Sequence, residues 1–274
     1  MKYVKSFFKY LSVILVLMLA LGPMYWILVN SFKPTPELVS ATPTFWPRTW
    51  TLEHYVNLFK QVNFVQYFLN SLWVALIATV ISIILGALGA YSIYRCRYPG
   101  RNLFFGLFLS IYIFPRVLLL IPLYVTFSKI GLIDTIWTLV IVNVTVVAPF
   151  SVWLLRAFFS SVPRELEEAA LVDGASRLQV LYKIFLPISA PGLGALGLNS
   201  FLLCWTEYMF AAIFILSDAN KTLPVGMAYF LEQYFIDWGL LMSSSVLIAL
   251  PAIIVFAIAG RYFVEGLTAG AVKE

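Results

Sequence analysis

Six stretches of the chain stay apolar for at least about 20 residues, the length a helix needs to cross the hydrocarbon core of a bilayer. They are 10–29, 69–94, 103–127, 135–158, 191–216 and 243–263. Strands of a transmembrane barrel would alternate apolar and polar positions over about ten residues, and these runs do not. The pattern predicts an all-α polytopic membrane protein with six transmembrane helices. The first run, preceded by Lys2, Lys5 and Lys9, has the outline of a signal peptide. It continues through Leu21-Gly22-Pro23-Met24-Tyr25-Trp26-Ile27-Leu28-Val29 without a small-x-small cleavage site, so a retained helix is expected.

Three hydrophilic segments separate the runs. In 33–68, Pro34, Pro36, Pro43 and Pro47 make the first half irregular, and 52–59 has the spacing of a short amphipathic helix. In 218–242, Tyr229, Tyr234 and Trp238 suit anchoring at a membrane interface. The third, 160–190, holds the densest charge. Composition agrees: 62% hydrophobic and 11% charged residues with a mean hydropathy of +0.92 exclude a soluble, fibrous or disordered chain, since soluble domains carry about 25% charged residues.

A net charge of +5 in a soluble chain would suggest nucleic acid, but basic residues here follow topology. With the N-terminus inside, twelve Lys and Arg fall on the cytoplasmic side, five outside, and Arg116 within a span. Both termini are then cytoplasmic, and no nucleic-acid partner is needed. Cys96 and Cys204 are too few for a disulfide framework and read as inert thiols, and His54 is the only histidine, so no metal site is expected. Gly86 and Ala90 form a small-xxx-small pair suited to close helix packing.

In 160–190, Pro163 suits a first helical position, and Glu165, Glu167 and Glu168 follow where a helix dipole favours acids. Leu166, Ala169, Ala170 and Asp173 recur at three- and four-residue spacing, giving a face of small side chains. Gly174 can take the positive φ that ends the helix. A second segment, with Leu178, Leu181, Ile184 and Phe185 at helical spacing, is expected to stop at Pro187. Such a unit suits a docking knob for a soluble cytoplasmic partner. A solvated loop whose acids balance Arg164, Arg177 and Lys183 accounts for the same residues.

Glu168-Ala169-Ala170, then Gly174, nine residues and Ile184-x-Leu186-Pro187, resembles the EAA loop of permease subunits in bacterial and archaeal ATP-binding-cassette importers. The likeness runs along nearly the whole chain and points to the carbohydrate-type permeases, on the side of the six-span maltose-transporter subunit. Asn30-Ser31-Phe32-Lys33-Pro34, Asn70-Ser71-Leu72, Tyr98-Pro99-Gly100-Arg101, Ile121-Pro122-Leu123-Tyr124 and the tail from Gly266 to Lys273 look like that group. Many relatives have Trp-Asn-Glu where this chain has Trp205-Thr206-Glu207, so any role of that asparagine does not carry over.

The resemblance implies a type I ABC importer permease fold. Residues 1–68 would be an N-terminal helix and external loop, 69–264 a five-helix transmembrane domain containing the cytoplasmic EAA loop 160–190, and 265–274 a cytoplasmic tail. It implies an importer of two permease subunits, two cytoplasmic ATPase subunits and an external solute-binding protein, in the cytoplasmic membrane of a bacterium or archaeon and in contact with membrane lipid. The sequence has no Gly-x-x-x-x-Gly-Lys-Ser/Thr phosphate loop. The chain is therefore expected to be no enzyme and to bind no cofactor; ATP and Mg belong to the ATPase partner. In the family the EAA helix sits in a cleft of the ATPase and transmits its closure to the membrane helices. Carried over, Glu168, Ala169, Ala170, Asp173 and Gly174 are coupling residues, with Ile184, Leu186 and Pro187 bracing the second segment.

Arg116 and Glu207 fall inside apolar runs, where a charge costs at least about 2.5–3.5 kcal/mol. Their depths from the outer ends of their spans are each roughly 15–17 Å, so they either pair or face one water-filled cavity. Pro115 and Pro122 loosen the same span as Arg116, which suits backbone lining a cavity. Trp205, Tyr208, Asn199 and Asn143 could add stacking faces and hydrogen bonds for a sugar; interhelical packing is their competing role. A mono-, di- or oligosaccharide is the implied substrate, with a polyol or glycerol phosphate as the alternative. A self-contained secondary transporter is the rival class, but the repeated halves frequent in such carriers are not evident.

Overall fold

The computed structural model describes residues 2–232 and 236–269, which contain no strand. Tyr234 and residues 270–274 lie outside the described residues, as do the side chains of Lys2, Lys5, Tyr229, Arg261 and 266–269. The chain opens with α1 (Lys2–Asn30), α2 (Thr35–Leu38) and α3 (Glu53–Gln61). Next come α4 (Phe64–Arg95), α5 (Arg101–Ile113), α6 (Leu120–Lys129) and α7 (Ile136–Phe159). The EAA-like loop forms α8 (Arg164–Val172), α9 (Arg177–Val180) and α10 (Leu186–Ile188). The chain continues through α11 (Ala190–Trp205), α12 (Met209–Phe214), α13 (Leu223–Glu232) and α14 (Trp238–Ala269). Among the described residues, five helical segments are long and apolar enough to cross a membrane, and α5 with α6 makes a sixth if that bent pair counts as one.

Two compact units are present. The first joins residues 1–65 and 226–251. Its polar centre is the motif after α1. The Lys33 side chain turns inward and is only 2% exposed. Its Nζ donates to Asn30 Oδ1 at 2.7 Å and to the Thr44 carbonyl at 2.5 Å, and lies 4.9 Å above the Trp26 ring. Burial lowers the Lys33 pKa, and the charge of Glu37 partly opposes that. The His54 ring, at the start of α3, holds the Lys33 carbonyl at 2.8 Å, and Gly239 leaves room for it: a Cβ there would collide with the imidazole. Leu58 of α3 is fully buried, as the amphipathic spacing required.

The second unit, 66–225 with 252–274, is built on α7, which packs against α5, α11 and α12. Small residues let α4 approach α7 closely: a Cβ at Gly86 would collide with Ser151, and one at Gly89 would sit 2.9 Å from a Val152 methyl. Ala90, one turn from Gly86, is fully buried, as the small-xxx-small reading expected. Thr135 caps α7 by accepting from the Thr138 N–H.

Three expectations of unbroken helix or helix end are corrected. The third span is not one rod: α5 and the segment from Arg116 to Lys129 meet at 96°. Pro115 lacks an N–H and disfavours helical backbone at Phe114, which is extended with ψ 133°. The fifth span is interrupted at 206–208, where α11 ends and α12 begins. Conversely, Pro187 does not stop the helix. A π turn over Leu181–Phe185 precedes it, and the Leu186 N–H bonds the Leu181 carbonyl, so the wider turn absorbs the bond that proline cannot make.

Candidate functional site

The EAA-like loop folds as its residues require. Pro163 is the cap residue just before α8 rather than its first helical position. Asp173 N–H reaches the Ala169 carbonyl at 2.9 Å, and Gly174, with φ 84°, turns the chain so that the Ala175 N–H bonds the Ala170 carbonyl at 2.9 Å. A Cβ on Gly174 would meet nothing within 4 Å, so within this chain its constraint is backbone conformation and not space. A capping box between Ser176 and Gln179 starts α9. Glu168, Ala169 and Asp173 are exposed beside Leu166 and Val172, the last 87% exposed. Ala170 is half-buried and faces the core below, as are Ile184 and Leu186, while Pro187 is exposed.

That core ties four elements together: Ala87, Ala90 and Tyr91 of α4, Leu155 and Phe159 of α7, Leu181 and Phe185 of the π turn, and Leu196 of α11. At its edge lies a buried ion pair that the sequence reading missed. Arg95 Nε stands 3.1 Å from Glu167 Oε2, close but without the alignment of a hydrogen bond, with side-chain exposures of 5% and 11%. Tyr91 donates to the other carboxylate oxygen at 2.9 Å, and Arg95 Nη2 donates to the Val162 carbonyl at 2.6 Å. The guanidinium also lies over the Tyr94 and Phe185 rings at 4.8 and 5.0 Å. One arginine at the end of α4 therefore holds the start of α8, the turn before it and the π turn. The signal available in sequence was slight: Arg95 is one more basic residue at the end of an apolar run, and Glu167 one of three neighbouring acids.

The second candidate region is a cavity of about 530 Å³ within the same unit. Arg116, Asn143, Glu207 and Tyr208 line it together with Leu203 and Thr206. The bend after Pro115 places Arg116 there on a short 3-10 turn, Arg116–Leu119. The interruption of the fifth span presents Glu207, whose carboxylate accepts the Phe210 N–H at 2.7 Å and the Ala211 N–H at 3.1 Å. Arg116 and Glu207 share the cavity without an ion pair between them. Asn143 Nδ2 donates to the Leu139 carbonyl at 2.9 Å. A cation, a carboxylate, an amide and a phenol on one wall can bond a ligand rich in hydroxyls. Trp205 and Asn199 lie elsewhere: Trp205 is buried, stacked on Phe201 at 5.8 Å and edge-on to Phe68 at 5.4 Å, and Asn199 does not line the cavity.

The opposite end of α4 is latched to the segment after α12. Asn70 Nδ2 donates to the Ala219 and Lys221 carbonyls at 2.8 and 2.9 Å, and Ser71 Oγ accepts the Leu223 N–H at 2.7 Å. Asp134, with φ 63°, accepts from the Leu216 and Ser217 N–H groups and the Ser217 hydroxyl at 2.9–3.0 Å. Burial raises the Asp134 pKa, but these donors outweigh it and hold the carboxyl below its ordinary value.

Residues 3–268 match the family described as binding-protein-dependent transport system inner membrane component. The chain is 40% identical over 266 residues to the inner membrane ABC transporter permease protein YcjP of Escherichia coli K12, covering 96% of this chain and 95% of that protein. It is 34% identical over 266 residues to the trehalose/maltose transport system permease protein MalG of Thermococcus litoralis, again 96% and 95%. It is 35% identical over 256 residues to the trehalose transport system permease protein SugB of Mycobacterium tuberculosis, 93% of each. A chain in the crystal structure of a bacterial ABC transporter involved in the import of the acidic polysaccharide alginate superposes with a TM-score of 0.84 over 95% of this chain and 97% of that one, at 21% identity. The fold, the EAA-like loop and these matches place the chain in the family of binding-protein-dependent transport system inner membrane components, as a membrane-embedded permease subunit of an ATP-binding-cassette importer.

Proposed function

We propose that this permease forms half of the translocation pathway for a sugar delivered by an external solute-binding protein, with both termini in the cytoplasm. A separate pair of ATPase subunits drives it, and a second permease subunit completes the pathway. The chain itself carries no ATPase site and binds no cofactor. The observation that carries the reading is the EAA-like loop: an exposed face of Glu168, Ala169 and Asp173 ended by Gly174, rooted in the helices below through Ala170, Ile184 and Leu186. That face is the coupling surface for the ATPase, and the second segment transmits its displacement into α11. The cavity of Arg116, Asn143, Glu207 and Tyr208 is this subunit's share of the substrate path. Relatives named for trehalose and maltose support a sugar, and the mixed hydrogen-bonding wall suits hydroxyl groups. Arg116 favours one second reading, an anionic relative such as a glycerol phosphate.

Affinity purification of the chain from its native membrane, with mass spectrometry of its partners and ATPase assayed against a sugar panel, tests this. Recovery of a second permease, an ATPase and a binding protein, with stimulation by one sugar, is expected. A chain that purifies alone and transports in vesicles without ATP would overturn the reading.

A further inference from the structure

The two broken spans each have an outer half, α6 and α12, and both outer halves begin on the wall of the same cavity. Arg116 stands on the 3-10 turn that leads into α6, and Tyr208, Met209 and Phe210 open α12 just behind Glu207. An unbroken helix would fix each outer half through its own backbone. Here the 96° bend before Arg116 and the interruption at 206–208 remove that constraint. The spacing of Arg116 and Glu207 across the cavity then depends on what holds α6 and α12 to each other.

The fully buried Phe214 ring meets Tyr124 and Phe127 of α6, at centroid distances of 6.1 and 5.8 Å. Burial of rings is non-directional and holds two helices together without fixing their register. Hydrogen bonds fix it, and they converge on Asp134 in the link between α6 and α7. The Asp134 N–H donates to the Phe214 carbonyl at 2.9 Å. Its Oδ1 accepts the Leu216 N–H at 3.0 Å and the Ser217 N–H and hydroxyl, both at 2.9 Å. Its carbonyl accepts Asn220 Nδ2 at 2.6 Å. On the α6 side the Leu132 N–H bonds the Phe127 carbonyl at 2.9 Å. Asp134 is also the one non-glycine residue with positive φ, 63°, among the described residues, a strained conformation that persists only where the surroundings hold it. Neither neighbour needs these bonds for its own shape. Thr135 caps α7, and Asn70 and Ser71 hold 219–223 from α4.

We propose that Asp134 is a positioning residue for the substrate cavity: it staples the end of α12 to the end of α6, so that Arg116 and Glu207 are carried by one outer body and keep a fixed spacing. Asp134 does not line the cavity. It acts through the two helices, since Phe214 lies seven residues from Glu207, about 10 Å at 1.5 Å per residue. The role in transport rests on the reading of that cavity as the substrate path; the staple itself does not.

The test uses the importer purified with its ATPase and reconstituted in nanodiscs. Asp134→Gly removes the carboxylate and accepts a positive φ without strain. Losing a charged acceptor is expected to speed hydrogen exchange about tenfold or more, in 120–129 and 209–214 together, with 139–152 of α7 unchanged. Acceleration confined to 214–220 would mark a local turn and overturns the proposal. The cavity is read with Thr206→Cys, after Cys96 and Cys204 are replaced by serine, as the ratio of its reaction rates with an anionic and a cationic methanethiosulfonate. Arg116→Gln should lower that ratio about tenfold. Asp134→Gly should lower it comparably, and the two together no further, because both act on the same charge. Asp134→Asn, which keeps one acceptor oxygen, should fall between wild type and the glycine variant in both readouts. A ratio unchanged in Asp134→Gly and Asp134→Asn, or losses that multiply in the double variant, overturns the positioning role. Uptake of the sugar that stimulates the ATPase is measured on the same variants. Unchanged uptake with a lowered ratio upholds the staple and refutes the cavity as the substrate path, so the two failures are distinct.

Discussion

Glu167→Gln probes the root of the EAA-like loop with little change of shape. Unit charges 3.1 Å apart attract by about 5 kcal/mol at an effective dielectric of 20. Desolvation offsets much of that, yet removing one partner of a buried pair costs about 3–5 kcal/mol because the other charge stays buried alone. Tyr91 can still donate to the amide oxygen, and Arg95 keeps the Val162 carbonyl and two aromatic rings. The lower end therefore applies: about 3 kcal/mol, or roughly a 150-fold rise in the opening of α8 from the core. Hydrogen exchange of 164–172 in the purified importer measures that opening, and transport per ATP hydrolysed should fall with it. A cycle with Arg95→Met should give a coupling energy above about 1 kcal/mol. Coupling near zero together with unchanged exchange would refute the assignment of this pair as the loop's anchor.

The other predictions are shorter. Gly174→Asp should insert normally but transport poorly; φ 84° strains any side-chain residue, for Asp by less than the about 1–2 kcal/mol of most residues, and a side chain is added on the exposed face. Normal uptake by this variant would count against the coupling role. Glu207→Gln and Arg116→Gln should each reduce uptake without loss of assembly, and if both left uptake unchanged the cavity would not be the substrate path. The lowered Asp134 pKa means its contribution is present above the ordinary carboxyl value of about 3.9 and is lost as pH falls through the lowered folded value. Hydrogen exchange of 214–220 should therefore accelerate only in acid, whereas Asp134→Asn should exchange fast at every pH. Gly86→Leu should block the approach of α4 to Ser151, and expression as abundant as wild type would contradict that packing.

Helix α4, α7 and the EAA-like loop could be read from the chain because each obeys a local rule: sustained apolarity, small residues at four-residue spacing, and a glycine where φ must be positive. The bend at Pro115 was half legible. Proline announces weakness in a helix, but whether the chain bends by 96° or absorbs the lost bond depends on what packs around it. Pro187 shows the other outcome, since Phe185 and Leu181 are held in the core and the backbone widens into a π turn instead of ending. Arg116 and Glu207 announced themselves by cost, and both line one cavity. Trp205 carried no such signal: its size served equally for stacking a ligand and for filling space between Phe68 and Phe201. The Arg95–Glu167 pair spans 72 positions of chain, a distance over which no local rule speaks.

Helix α4 runs 32 residues without a proline. Ser71, near one end, accepts from the first residue of α13, and Arg95, at the other, grips the EAA-like loop. Those two residues are about 36 Å apart along the helix axis at 1.5 Å per residue, more than the roughly 30 Å of a hydrocarbon core. A rod of that length, clamped at both tips, cannot shorten when one tip is pushed; it can only tilt or slide. Work delivered at the Arg95 tip therefore arrives at the Ser71 tip as displacement, without an intervening spring to dissipate it.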